Sequence, residues 1–192
     1  IERLRESFKI YDIVRIDHFR GFESYWEIPA GSDTAAPGEW VKGPGYKLFA
    51  AVKEELGELN IIAEDLGFMT DEVIELRERT GFPGMKILQF AFNPEDESID
   101  SPHLAPANSV MYTGTHDNNT VLGWYRNEID DATREYMARY TNRKEYETVP
   151  HAMLRTAFAS VSFMTIATMQ DLLELDGSAR MNFPSTLGGN WS

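Results

Sequence analysis

Short apolar runs alternate with amphipathic helical stretches along this chain, and three of the runs end on or just before an acid. Asp12–Asp17 reads as a strand. Tyr46–Leu56 reads as a helix with Phe49, Val52 and Leu56 on one face and Gly57 as its stop. Asn60–Glu64 is the second strand. Asp71–Thr80 is the second helix, supported by Glu75 and Arg79 at i,i+4 spacing and ended by Gly81. Met85–Phe90 and Ser109–Thr113 follow as strands. A helical region from about Thr120 to Ser160 comes next, with Pro150 suited to the first turn of its last helix. Phe163–Met169 is the fifth strand. Strand–helix alternation of this kind predicts a parallel α/β sheet, here in a single domain over residues 1–192. Glu27–Gly45 and Asn93–Asn108 carry Pro and Gly and are expected to be loops, and loops that long inside an α/β unit are usually functional.

Five strands fit an open doubly wound sheet or part of a barrel, and the pattern alone does not choose. Both architectures build their active sites at the carboxyl ends of strands, which is where the polar residues of this chain collect.

Composition excludes more than it selects. Eighteen basic and thirty-one acidic residues leave a net charge of −13, which disfavours nucleic acid and anionic membranes as partners. Most of those acids serve solubility. A neutral substrate such as a sugar remains compatible. With no cysteine there is no disulfide scaffold, thiolate metal site or cysteine nucleophile. No apolar run approaches the ~20 residues of a membrane span, and no secretory leader opens the sequence. A cytoplasmic location is expected. The first residues, Glu2–Phe8, read like the end of a helix already under way, so the chain is expected to be an internal piece of a longer protein.

In Val14-Arg15-Ile16-Asp17 the apolar pair shares one strand face and the charged pair the other. Arg15 and Asp17 make either a structural ion pair or a catalytic carboxylate kept ionised by its arginine. Glu64 directly follows an apolar strand, as a catalytic group or as a solvated acid. Thr115-His116-Asp117-Asn118 repeats the arrangement after the fourth strand. His18, His103 and His151 are scattered, which weakens a metal reading of His116 with Asp117. Three acids at the mouths of three strands suit glycosidic chemistry. One carboxylate attacks or stabilises the anomeric carbon while another protonates the leaving oxygen. Their proton affinities must differ, and Glu64, with no adjacent cation in sequence, is the better donor.

Arg15-Ile16-Asp17-His18-Phe19-Arg20-Gly21, Ala63-Glu64-Asp65-Leu66-Gly67 and Thr115-His116-Asp117-Asn118 occur in that order and together resemble signature blocks of the amylomaltase family of 4-α-glucanotransferases. Tyr25–Ala30 through Gly43-Pro44-Gly45, and Arg180–Pro184 leading to Asn190-Trp191, resemble the same family, so the likeness covers essentially the whole chain. It implies a (β/α)8 TIM barrel of the α-amylase superfamily, of which this chain would hold about strands four to eight, an incomplete barrel. It also implies a retaining mechanism. Asp17 then matches the nucleophile, Glu64 the general acid/base, and Asp117 the acid that grips sugar hydroxyls in the transition state. Arg15 and His116 match substrate-contacting positions, and Asn93 and Asn182 further sugar contacts. The family usually has an acidic or small residue near Asn93 and Gly where Ser185 stands.

The implied function is transfer of α-1,4-glucan segments from a maltooligosaccharide or α-glucan donor to a glucose or maltodextrin acceptor, with no cofactor and no metal. The missing N-terminal part of the same barrel is the implied partner. Transfer rather than hydrolysis rests on the resemblance alone. A related α-glucan hydrolase, a non-catalytic glucan-binding fragment and a metal-dependent hydrolase using His116 and Asp117 are the rivals. Trp26, Trp40, Trp124 and Trp191 offer faces for glucose rings, although buried tryptophans are more often anchors. A retaining pair at Asp17 and Glu64 would place the two carboxyl groups about 5–5.5 Å apart.

Overall fold

Parallel strand pairs flanked by helices form the framework of the computed structural model, which describes residues 1–191. The fold is α/β, as the alternation predicts. The chain divides into two compact units, Ile1–Met85 and Lys86 onward.

The first unit begins with α1 (Glu2–Ser7) and β1 (Val14–Ile16), followed by a 3₁₀ turn at Phe19–Phe22. A hairpin of β2 (Ser24–Glu27) and β3 (Glu39–Lys42) comes next, then α2 (Tyr46–Leu56), β4 (Ile61–Ala63) and α3 (Asp71–Thr80). β5 (Gly84–Ile87) runs across the boundary into the second unit. β1 lies parallel to β4, with Val14 against Ile61 and Ile16 against Ala63. Both helices match their sequence limits, and Gly57 and Gly81 end them with φ of 78° and 75°, a backbone that glycine adopts without steric cost. Phe49 and Val52 of α2 and Val73 and Leu76 of α3 are buried, the spacing of one helical face. Phe19 stacks on Phe49 at 5.4 Å, and Phe82 meets Phe49 edge-on at 5.4 Å. The expected Glu75–Arg79 pair does not form; the Arg79 guanidinium lies 3.9 Å over the Tyr46 ring instead. A cation over an aromatic face competes well with a solvent-exposed ion pair.

The hairpin corrects the expectation of a loop over Glu27–Gly45. β2 and β3 pair antiparallel, with Trp26 opposite Trp40. Most residues on both of its strands are exposed, so no apolar–polar alternation marks them in sequence.

In the second unit β6 (Ser109–Tyr112) is followed by α4 (Val121–Asn127), α5 (Asp131–Tyr140), α6 (Val149–Phe158), β7 (Met164–Ile166) and α7 (Met169–Leu172). The strand order is β5-β6-β7, with β7 parallel to β6. The strand expected over Met85–Phe90 stops at Ile87 and becomes a 3₁₀ turn over Leu88–Ala91. Asp100 takes the Ile87 N–H at 2.9 Å, and consecutive Ile87, Leu88 and Gln89 are all buried, a pattern no half-buried strand produces. The single helical region becomes three helices because Thr120, Asp130 and Thr148 each cap a new start. Pro150 sits in the first turn of α6 as expected. β7 is shorter than Phe163–Met169 because Thr168 caps α7. Asn93–Asn108 holds no helix or strand. Leu88, Phe92, Met111, Val121, Trp124, Met137 and Met153 form the core, which makes Trp124 a packing anchor. Among the described residues no helix is long and apolar enough to cross a membrane.

Candidate active site

Register fixes the group in the first unit. Ile16 stands beside Ala63 across the parallel pair, so the next residues, Asp17 and Glu64, leave neighbouring strands at the same end. The ladder runs one step further: the Glu64 N–H donates to the Ile16 carbonyl at 2.9 Å, and the Phe19 N–H to the Glu64 carbonyl at 3.0 Å. Both Glu64 carboxyl oxygens are oriented by main-chain donors. Oε2 accepts the His18 N–H at 2.7 Å and Oε1 the Leu66 N–H at 2.8 Å. His18 reaches that geometry in the left-handed region, φ 51° and ψ 52°, which is unfavourable for a residue with a Cβ. The buried Phe19 that follows pins the turn.

Asp17 takes the Arg15 Nη2 at 2.7 Å through Oδ1, and its side chain is 74% exposed. Arg15 is mostly covered, and its Nη1 rests on the Met85 sulfur at 3.8 Å. The expected ion pair forms, and the Asp17 carboxyl in it stays open to solvent. Asp65, next to Glu64, has a different setting. It is 8% exposed, accepts the Met85 N–H at 2.7 Å and lies 3.3 Å from Arg77, so it ties β4 to β5 and α3.

The group in the second unit is built after β6. Asn118 Oδ1 accepts both the N–H and the hydroxyl of Thr115 at 2.8 Å, and the Thr115 hydroxyl accepts the Asp117 N–H at 3.2 Å, closing a tight turn. Asp117 Oδ1 accepts Asn182 Nδ2 at 2.5 Å, and His116 Nε2 lies 3.4 Å from Oδ2. The Asp117 side chain stays 50% exposed. Trp191 lies beside the His116 ring at 5.2 Å. Among the described residues no group of three or more His, Asp or Glu is arranged to hold a metal.

Asp17 is thus gathered with Arg15 and Glu64 in the first unit, and Asp117 with His116 and Asn182 in the second. Asn93 is exposed, and its Oδ1 accepts the Glu95 N–H at 3.0 Å, a turn within its own loop. Sequence reasoning missed Arg180. Its guanidinium donates to the Asp117 carbonyl at 2.7 Å and the Asn182 carbonyl at 2.9 Å, and it pairs with Glu128 at 3.3 Å. Its place in the Arg180–Pro184 block was the available signal. Ser185, where the resemblance expects Gly, has φ 64°, the region in which glycine is free of strain.

The sequence model described as 4-alpha-glucanotransferase matches residues 1–192. The chain is 97% identical to a 4-alpha-glucanotransferase of Streptococcus pneumoniae serotype 4, over all of this chain and 38% of that protein. It is 48% identical to a 4-alpha-glucanotransferase of Thermus thermophilus, over all of this chain and 40% of that protein. Among solved structures, the amylomaltase from Streptococcus agalactiae in complex with acarbose superimposes with a TM-score of 0.95 at 46% identity, over 99% of this chain and 38% of that one. The chain therefore spans about two fifths of the length of these relatives.

Proposed function

The chain belongs to the 4-alpha-glucanotransferase family, and from that membership we propose that its parent protein moves α-1,4-glucan segments between maltooligosaccharides by a retaining double displacement. The observation that carries the reading is the paired exit of Asp17 and Glu64 from adjacent parallel strands, one carboxyl presented to solvent and the other oriented by two N–H groups. Asp17 attacks the anomeric carbon and becomes glycosylated while Glu64 protonates the departing sugar oxygen. Glu64 then removes the proton of the incoming acceptor hydroxyl, and the ester to Asp17 breaks. A carboxyl oxygen has more than one acceptor site, so either Glu64 oxygen can carry this proton while keeping its N–H partner. Arg15 stabilises the ionised nucleophile, and Asp117 grips sugar hydroxyls in the transition state with His116 and Asn182 beside it. Asn93 contacts sugar further along the chain. Each step is proton transfer plus carboxylate attack, so no cofactor is required.

The same reading makes this chain about strands four to eight of a (β/α)8 barrel, one catalytic domain completed by the rest of the parent protein. Parallel pairing of β1 with β4 and of β6 with β7, with acids at the strand ends, supports that architecture.

The test uses the full-length protein and maltotriose. A ladder of longer and shorter oligosaccharides is expected, and Asp17→Asn and Glu64→Gln should each reduce its formation by at least about 10²-fold. Net release of reducing ends without longer products would indicate a hydrolase. Unchanged activity in both variants would leave only a non-catalytic glucan-binding role.

A further inference from the structure

The reaction above leaves unused the buried carboxyl group of Asp171 in α7, which is 1% exposed. Its Oδ2 accepts the hydroxyl of Thr113 at 2.6 Å, and its Oδ1 accepts the N–H of Val121 at 2.7 Å. Thr113 and Val121 are themselves fully buried. Thr113 directly follows β6 and Val121 opens α4, so the two partners are the two ends of the loop that carries His116 and Asp117. Asp117 stands midway between them in sequence. The Thr168 hydroxyl in turn holds the Asp171 N–H at 3.2 Å, fixing the carboxyl to the start of α7.

We propose that Asp171 is a positioning residue for Asp117, a clasp that holds both ends of the loop at one separation. The proposal rests on the role of Asp117 given above. Without the carboxyl group the Val121 N–H and the Thr113 hydroxyl are left buried without an acceptor. The loop ends then relax to find other partners, and the Asp117 carboxyl moves with them. A displacement of about 1 Å in a reacting constellation costs on the order of 10²-fold in rate. Asp117 acts mainly on the transition state, so the loss falls on kcat and not on KM.

The test measures maltotriose disproportionation by the full-length protein. Asp171→Ala should lower kcat about 10- to 100-fold with KM nearly unchanged. Asp171→Asn should restore most of it, because its amide oxygen accepts the Val121 N–H while its NH₂ group donates to a reoriented Thr113 hydroxyl. In an Asp117→Asn background, Asp171→Ala should produce no further loss, since residues that act as a unit are non-additive. Equal losses in both backgrounds, a raised KM with unchanged kcat, or wild-type kcat in Asp171→Ala overturns the proposal. Wild-type kcat in Asp117→Asn alone is a separate signature; it removes the role of Asp117 and this proposal with it. If Asp171→Ala does not fold, Thr113→Val carries the same test by deleting one link while keeping the shape. It should lower kcat only while Asp117 is present, and a loss independent of Asp117 overturns the clasp.

Discussion

Glu147 accepts Arg155 Nε on one carboxyl oxygen and Arg155 Nη2 on the other, each at 2.9 Å, and its side chain is only 5% exposed. Those hydrogen bonds, foremost among the causes, hold its carboxyl at about 2 against an ordinary 4.5. The folded-state value lies below the unfolded one, so the pair stabilises the fold above the ordinary value and the contribution is lost as pH falls from 4.5 toward 2. Thermal unfolding of the full-length protein across that window should show wild type losing Tm faster than Glu147→Gln; parallel curves would contradict the assignment. Some residues of this kind are legible in sequence and others are not. Asp17 and Glu64 stand out because each ends an apolar strand, and strand register alone brings them together. Asp171 and Arg180 do not, because the partners that tie them to the Asp117 loop lie 50 or more residues away: Asp171 answers to Val121 and Thr113, and Arg180 to Asp117 and Glu128.

The same contrast holds for elements. α2 and α3 were readable to the residue, because one buried face at helical spacing and a terminal glycine are local signals. The β2–β3 hairpin gave no such signal, since little of it is buried. What fixes it is contact with the turn that follows His18. The Gly43 N–H donates to the Glu23 carbonyl at 2.8 Å and the Gly45 N–H to the Phe22 carbonyl at 2.7 Å. A Cβ on Gly43 would fall 2.4 Å from the Phe22 carbonyl oxygen and 2.7 Å from that of Gly21, both main-chain atoms that have nowhere to rotate. Gly43→Ala should therefore push the hairpin off the turn and destabilise the protein by about 1–3 kcal/mol. Activity should fall with it, because the same turn supplies the His18 N–H to Glu64. Denaturant unfolding with wild-type midpoint and slope would contradict this.

At the scale of the molecule, the alternation of strands and helices announced an α/β fold, whereas closure of the proposed barrel would need strands other than these. Among the described residues β1 pairs with β4 alone, and β7 with β6 alone. Near β1 the side chains of Ile10, Tyr11 and Ile13 are exposed, and near β7 those of Val161, Phe163 and Leu173. Strand edges beside uncovered apolar side chains invite association with other chains. The 192-residue chain alone is expected to aggregate and to lack maltotriose disproportionation, as measured by light scattering and product analysis; a soluble, active chain would show that it needs nothing further. In the proposed mechanism a covalent bond forms on Asp17. Fluoride departs without a proton, so under the proposed mechanism full-length protein carrying Glu64→Gln would still accept a sugar from α-maltosyl fluoride but would have no base to activate the next acceptor. Peptide mass spectrometry after rapid quenching should find one maltosyl group esterified to Asp17, and a label on another residue, or no adduct at all, would contradict the account.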